Sequence, residues 1–158
     1  EPYRRQRQMC IRDSPLAQEA AENLRAAAEA KNVSIIVSGE NAPVTGVRRL
    51  LYEIAYNLCD NAIKYNADGG SVDVRVGAEG GSACLTVRDT GIGIPPEHQS
   101  RIFERFYRVD KSHSKASGGT GLGLSIVKHA VAYHHGTIAL KSEVGKGTEI
   151  TVRFPQEK

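Results

Sequence analysis

The sequence predicts an α+β fold, a two-layer α/β sandwich in which three helices cover one face of a mixed, mostly antiparallel sheet of about five strands. Two observations lead to this prediction. Segments with apolar residues at helical spacing alternate along the chain with segments in which apolar and polar residues alternate. In the strand-like segments one side is apolar and the other polar, as expected for a sheet with one covered face and one wetter face.

Length and composition indicate a single globular domain. The chain has 158 residues, of which 40% are hydrophobic and 25% are charged. The net charge of only +3 does not support a basic nucleic-acid-binding face, and no apolar run approaches the length of about 20 residues that spans a bilayer. Cys10, Cys59 and Cys84 form no CxxC pair, which argues against a disulfide scaffold or a zinc site. We therefore expect a cytoplasmic protein without nucleic-acid partners and without direct membrane contact.

The first 14 residues differ in character from the rest. Residues 9–14 resemble the translation of a common sequencing-library adapter. We therefore expect residues 1–14 to be non-native or disordered, residues 15–158 to form the domain, and the true N-terminal part of the protein to be missing.

The first half of the chain is predicted to contain two helices with a strand between them. Residues 16–31 are rich in alanine and glutamate with apolar residues near helical spacing, and Pro15 suits the first turn of a helix. Apolar residues at alternate positions over 33–37 predict a strand that stops at Gly39. Residues 46–66 carry one apolar stripe at helical spacing, which predicts the second helix.

The second half is predicted to supply the remaining strands and a third helix. Residues 72–76 and 85–89 alternate, and the glycine-containing turn between them favours a hairpin. Residues 92–118 show little regular pattern, which is typical of a functional lid or a mobile segment. A third helix over about 121–134 is followed by strands around residues 138–140 and 150–154.

Polar side chains line one face of the second predicted helix. Glu53, Asn57 and Asn61 lie four residues apart, and Lys64 follows three residues later. An amide oxygen is a good ligand for Mg²⁺, and a lysine can meet a phosphate as a point charge. The alternative is a solvated helix face on which Lys64 favours the C-terminal end of the helix dipole.

Asp89 ends a predicted strand on its buried side and opens the segment Asp-Thr-Gly-Ile-Gly-Ile. A buried carboxylate requires partners, and this one can accept a hydrogen bond from an exocyclic amine such as that of adenine. Gly91 and Gly93 would let the backbone approach a planar ring closely. The alternative is a turn carboxylate that caps the following amides.

Two further glycine-rich segments accompany these residues. Residues 118–124 open the third helix, where free amides and the positive dipole end suit phosphate oxygens, although the segment fits neither a Rossmann fingerprint nor a Walker A loop. A flexible linker running into a helix is the alternative. The second segment, residues 145–148, is a hairpin turn whose Thr148 hydroxyl lies on the helix-covered side, where a pocket would form.

In this order and spacing the segments resemble the GHKL ATPase superfamily, and within it the catalytic ATP-binding domain of bacterial sensor histidine kinases. Residues 57–65 are similar to the N box, 89–94 to the G1 box, 103–108 to the F box, 119–124 to the G2 box and 145–148 to the third glycine element. The similarity covers roughly residues 16–155, and residues 92–118 would then form an ATP lid.

The resemblance implies ATP and Mg²⁺ as ligands and assigns roles by position. Asp89 would bind the adenine amino group with help from Gly93 and Thr148, and Tyr65 and Ile94 would pack on the ring. Asn61 would hold Mg²⁺, and Asn57, Lys64 and Arg108 would act in catalysis close to the phosphates. The implied nucleotide-binding set is Asn57, Asn61, Lys64, Tyr65, Asp89, Gly91, Gly93, Ile94, Gly119, Thr120, Gly121, Leu122, Gly123, Leu124 and Thr148.

The resemblance also implies partners. The phosphoacceptor of the family is a histidine followed by an acidic residue on a helical hairpin, and none of the five histidines here has that context. We therefore expect ATP binding without self-phosphorylation, a histidine-bearing dimerisation domain of the full-length kinase as partner, and a response regulator downstream. The cytoplasmic part of a membrane-bound sensor is the implied location.

Two alternatives to a kinase remain, together with one open question about the lid. A binding module without kinase activity is the first alternative, and an ATPase of the topoisomerase or mismatch-repair branch is the second. That branch places a base carboxylate where Asn57 stands here, which disfavours it. Phe103 and Phe106 are either a docking surface for the acceptor domain or anchors that hold the lid to the core.

Overall fold

A five-stranded mixed sheet forms the centre of this computed structural model, which describes residues 8–40, 42–105, 107 and 123–155. In chain order the elements are β1 (Gln8–Arg12), α1 (Asp13–Asn23), α2 (Arg25–Ala30), β2 (Ser34–Gly39), β3 (Pro43–Val47), α3 (Arg48–Lys64), β4 (Ser71–Glu79), β5 (Ser82–Asp89), α4 (Pro96–Gln99), α5 (Gly123–Tyr133), β6 (Thr137–Glu143) and β7 (Gly147–Arg153). The sheet order is β2-β4-β5-β7-β6, and only the β2–β4 pair is parallel. The predicted mixed, mostly antiparallel sheet is confirmed.

The strand registers place one apolar residue of each strand in a row across the sheet. Val37 lies beside Val74, Val74 beside Val87, Val87 beside Ile150, and Ile150 beside Leu140. Val74, Val87 and Ile150 are buried, whereas the residues next to them along each strand are more exposed. Burial of one side chain in two therefore explains the alternation that predicted these strands.

Helix α3 lies at the centre of the helical layer, between α1 and α5, and packs on β4 and β5. Its apolar stripe, which includes Leu51, Ile54 and Leu58, is almost completely buried. The first predicted helix is divided in two, because Leu24 leaves helical geometry (φ −102°, ψ 1°) while its side chain remains 3% exposed in the core. Within the described ranges, no helix has both the length and the apolar character needed to cross a membrane.

A second, two-stranded sheet was not predicted. Strands β1 and β3 pair antiparallel from Gln8 opposite Val47 to Arg12 opposite Pro43. Residues 8–12 therefore form a strand within the segment 1–14 that was expected to be non-native or disordered, and α1 begins at Asp13, before Pro15. Backbone pairing between distant short segments needs no local side-chain pattern, which is why the sequence did not reveal it. The foreign origin of residues 1–14 stays a prediction.

His134 fixes the start of α3 from the end of α5. The backbone N–H of Val47, which precedes α3, donates to Nε2 of His134 over 3.0 Å, and Nδ1 lies 2.7 Å from the Ala130 carbonyl oxygen. Both contacts are satisfied when Nδ1 carries the proton. The ring packs so closely on Gly46 that a Cβ there would come within 3.0 Å of it. Gly46 therefore lies within β3, and the prediction that the helix begins at residue 46 is wrong, because α3 begins at Arg48.

Candidate functional site

The polar face of α3 meets the start of α5. Asn57 donates from Nδ2 to the Glu53 carbonyl oxygen over 2.8 Å. Its Oδ1 points at the first residue of α5, where a Cβ on Gly123 would lie 3.2 Å away. Asn57 of the N box segment and Gly123 of the G2 segment are thus brought together. Leu124, the next residue of α5, packs against the hydrophobic core.

Asn61 lies one turn after Asn57 on the same face and is half-buried. Its side chain has no hydrogen-bond partner among the residues that the structure describes. A half-buried amide without a protein partner suits a ligand, and its oxygen fits a hard cation such as Mg²⁺.

Lys64, at the end of the same face, is engaged within its own helix. Its Nζ lies 2.9 Å from Oδ2 of Asp60, and both side chains are about two-thirds buried or more, with 30% and 23% exposure. Its carbonyl oxygen accepts from Nζ of Lys31, and burial lowers the pKa of that lysine. Contact between Lys64 and a phosphate therefore requires the ammonium group to exchange or share its carboxylate partner.

The Asp89 carboxylate is held at one oxygen and open at the other. Oδ1 accepts from the Gly91 N–H over 2.8 Å and from the Thr148 N–H over 3.2 Å. Burial raises the pKa of this carboxyl above its ordinary value, and the two backbone hydrogen bonds oppose that rise. Within the described part of the chain, Oδ2 has no protein partner. Asp89 thus caps the Gly91 amide, as the turn interpretation proposed, and keeps an acceptor for a ligand.

The glycines of the Asp89 loop permit backbone contacts. A Cβ at Gly91 would come within 3.0 Å of the Tyr65 carbonyl oxygen, and one at Gly93 would come equally close to the Glu143 carbonyl oxygen. The loop is also tied to Tyr65 by the Ile92 N–H over 3.1 Å. The sequence explained these two glycines by close approach of the backbone to a planar ring. The structure adds a second reason, which is the close packing of the loop between α3 and the β6–β7 hairpin.

Ser142 is a residue at this site that the sequence analysis missed. Its Oγ accepts from the Ile94 N–H over 2.8 Å and lies 2.8 Å from the Thr148 hydroxyl. Gln99 of α4 donates to the carbonyl oxygens of both Ile94 and Ser142. The signal was present in the alternation of β6, since Ser142 continues the inward row of Ile138 and Leu140.

Part of the predicted site lies outside the described residues. This applies to Phe106 and to the following predicted nucleotide-binding or catalytic positions: Arg108, Gly119, Thr120, Gly121 and Leu122. Before them, Ile102 is buried and Phe103 is half-buried. The choice between docking surface and lid anchor for Phe103 stays open.

A comparison with known families agrees with this arrangement. The model for histidine kinase-, DNA gyrase B-, and HSP90-like ATPases matches residues 46–158. The chain belongs to this ATPase family. The match spans α3, the Asp89 loop, α5 and the β6–β7 hairpin, which are the elements that carry the polar groups described above.

Relatives within the ATPase family are sensor histidine kinases. The chain is 42% identical over 142 residues to the sensor-like histidine kinase SenX3 of Mycolicibacterium smegmatis. The aligned residues cover 89% of this chain and 37% of that protein. The chain thus spans little more than a third of this relative.

Solved structures of the same kind share the fold. The mycobacterial sensor histidine kinase MprB superposes with a TM-score of 0.81 at 29% identity, covering 94% of this chain and 97% of that one. Full-length ShkA in complex with AMPPNP superposes with a TM-score of 0.80 at 28% identity, covering 94% of this chain and 31% of that one. The predicted fold class and the resemblance to histidine kinase catalytic domains are confirmed.

Proposed function

We propose that this domain binds ATP with Mg²⁺ and donates the γ-phosphoryl group to a histidine on a separate dimerisation domain of a sensor histidine kinase. The observation that carries the proposal is the Asp89 carboxylate, held by two backbone N–H groups at Oδ1 and left with an acceptor at Oδ2. An amine such as N6 of adenine satisfies that acceptor, and AMPPNP, an ATP analogue, is the nucleotide in the ShkA complex.

The adenine end of the proposed site is the region between β5 and β7. Thr148 lies next to Asp89 through its backbone N–H, and Tyr65 and Ile94 flank the same loop. Gly91 and Gly93 keep this loop close to its neighbours, which holds the acceptor oxygen in place. Tyr65 and Ile94 supply apolar surface for the two faces of the base.

The phosphate end is the junction of α3 and α5. Asn61 would hold Mg²⁺ through its amide oxygen, and the ion would neutralise charge on the polyphosphate. Asn57 lies where α3 meets the first residue of α5, next to which the amides of residues 119–124 are proposed to bind phosphate oxygens. Lys64, on leaving Asp60, and Arg108 would contribute positive charge.

The proposed chemistry depends mainly on positioning and charge stabilisation. A nitrogen of the acceptor histidine attacks the γ-phosphorus, the bond to the oxygen bridging the β and γ phosphorus atoms breaks, and ADP leaves. We place the domain in the cytoplasmic part of a membrane-bound sensor, with a response regulator as the next phosphoryl acceptor. Net hydrolysis has little support, because the α3 carboxylates on either side of Asn57 are both ion-paired. Glu53 pairs with Arg49 over 3.2 Å, and Asp60 pairs with Lys64 over 2.9 Å.

Nucleotide binding is expected to depend on Mg²⁺ through Asn61. In a titration with a fluorescent ATP analogue, the wild-type chain should bind more tightly with Mg²⁺ than with EDTA, and Asn61→Ala should lose most of that difference. Asn61→Asp keeps an oxygen ligand and should retain the dependence on Mg²⁺. Absence of saturable binding by the wild type at millimolar analogue would refute the assignment.

Phosphoryl transfer is expected only when an acceptor is supplied. With γ-labelled ATP and Mg²⁺ the 158-residue chain alone should remain unlabelled, because no histidine in it is followed by Asp or Glu. Mixed with or fused to a helical hairpin that bears the acceptor histidine of a related sensor kinase, it should produce acid-labile label on the hairpin. A hairpin with histidine replaced by alanine is the control. Acid-labile label on the isolated chain would contradict the proposal of a separate acceptor.

A further inference from the structure

The hydroxyl of Ser142 contacts three different groups at the proposed adenine end. Its Oγ lies 2.8 Å from the Ile94 backbone nitrogen, 3.1 Å from the Gly147 carbonyl oxygen and 2.8 Å from Oγ1 of Thr148. A serine hydroxyl offers one donor and two acceptor positions, so three contacts use its full capacity.

Only one arrangement of hydrogens satisfies all three contacts. The Ile94 N–H can only donate, and the Gly147 carbonyl can only accept. The single proton of Ser142 therefore belongs on the bond to Gly147. The remaining contact then requires the Thr148 hydroxyl to donate its own proton to Ser142.

This polarity changes what Thr148 can offer to a ligand. With its proton committed to Ser142, Oγ1 of Thr148 presents only lone pairs. The backbone N–H of the same residue is bonded to Oδ1 of Asp89, so the hydroxyl and the carboxylate belong to one small cluster. A cluster with two acceptors suits a ligand that brings donors to it.

We propose that Ser142 is a positioning residue that keeps the Thr148 hydroxyl an acceptor, so that the site prefers a purine with an exocyclic amine at C6 over one with an exocyclic oxygen. This inference rests on the proposed function and adds a determinant of base selectivity outside the residues assigned above. A C6 oxygen would face acceptors on both sides, and neither of them has a proton to offer it.

Gln99 holds this arrangement in place from α4. Its Nε2 donates to the Ile94 carbonyl oxygen over 2.8 Å and to the Ser142 carbonyl oxygen over 3.2 Å. The backbone groups on both sides of the Ser142 hydroxyl are thus tied to a common donor. The hydroxyl is therefore fixed before a ligand arrives.

The test compares ATP with inosine triphosphate, which carries oxygen in place of the C6 amine. Affinities of both are measured by competition against a fluorescent ATP analogue. Ser142→Ala frees the Thr148 proton, so ATP should bind more weakly and inosine triphosphate as well as before or better. The ratio of the affinity for ATP to the affinity for inosine triphosphate should fall about fivefold, which is the effect of one lost neutral hydrogen bond. General loosening of the site would weaken both ligands equally and leave the ratio unchanged.

Three further variants make the test decisive. Thr151→Val is the control. It removes a hydroxyl from the Thr86–Thr151 pair on the open face of β7, the strand that carries Thr148, and it should leave the ratio unchanged. Ser142→Thr restores the hydroxyl and should recover the ratio. Thr148→Val removes the acceptor itself, should lower the ratio as Ser142→Ala does, and should add nothing in the double variant.

Each outcome separates the inference from the function on which it rests. If the wild type binds ATP and prefers it, and neither Ser142→Ala nor Thr148→Val changes the ratio, the inference is wrong and the proposed function stands. A change of the same size in Thr151→Val would also overturn the inference. If the wild type shows no saturable ATP binding, the proposed function is wrong and the inference is refuted with it.

Discussion

Asp89→Asn is expected to weaken ATP binding at least tenfold and to leave the fold intact. The asparagine oxygen can still accept from the Gly91 and Thr148 N–H groups, but its NH₂ group would then face the adenine amine. Loss of a hydrogen bond to a charged acceptor costs about 1.5–3 kcal/mol, and about 1.4 kcal/mol corresponds to a tenfold change in affinity.

The same substitution, Asp89→Asn, is not expected to lower the free energy of unfolding, although it weakens binding. Because burial raises the pKa of Asp89, its charged form is penalised in the folded state, and stability is lost as pH rises through the folded pKa. Asparagine carries no charge, so the variant should be as stable as the wild type or slightly more stable at neutral pH.

Two measurements on the same samples check both expectations. Binding is measured by titration with a fluorescent ATP analogue, and stability by urea unfolding. Asp73→Asn is a matched control, since Asp73 is an exposed carboxylate on the open face of β4, and it should change neither quantity appreciably. Wild-type affinity in Asp89→Asn would show that this carboxylate is only a turn residue.

Gly147→Ala is expected to have the largest effect on stability and to abolish nucleotide binding. Gly147 has φ +116°, and a Cβ there would come within 3.0 Å of the Asp89 carbonyl oxygen. Backbone strain costs about 1–3 kcal/mol, and overlap with a packed backbone costs a similar amount. We therefore expect the free energy of unfolding to fall by about 2–5 kcal/mol. Relief of the overlap moves β7 away from Asp89, which withdraws the Thr148 N–H from the carboxylate.

Gly145→Ala separates strain from overlap. Gly145 lies two residues earlier in the same turn and also has positive φ (+84°), but a Cβ there would have no atom within 4 Å. The free energy of unfolding of Gly145→Ala should fall by only about 1–2 kcal/mol, which is the cost of a left-handed conformation for a residue with a Cβ. Urea unfolding and nucleotide titration of both variants provide the comparison. Equal losses in the two variants would show that the close approach to Asp89 is unimportant.

Helix α3 and the β4–β5 hairpin were predictable because their signals are local. The apolar stripe of α3 repeats within one helix, and the alternation of β4 and β5 repeats within each strand, so burial of one face leaves its period in neighbouring residues. The five glycine-containing and polar segments were identified by their resemblance, in order and spacing, to motifs of the ATPase family, and the family match over residues 46–158 confirms that family.

The errors arose where distant segments determine a local feature. Strand β1 forms because its backbone pairs with β3, and the shift of the α3 start to Arg48 follows from the contact of His134 with Gly46 and Val47. Leu24 also interrupts the first helix although its neighbours favour a helix, while its side chain stays buried in the core. At β1 and at the start of α3, tertiary packing overrides local preference.

By itself the sequence determined the class of the fold and the helix that carries Asn57, Asn61 and Lys64, and its motifs indicated the ATPase family. Only the tertiary structure decided how the groups of the site are paired. Thr148 meets Asp89 across 59 residues of chain, and Ser142 meets Ile94 across 48. The four-residue spacing of Asp60 and Lys64 along α3 permits an ion pair. Whether Lys64 forms that pair or keeps a free ammonium group depends on how far the two side chains are buried. Hydrogen bonds between distant segments depend on distances of a few tenths of an ångström, and strand register and close loop packing set those distances.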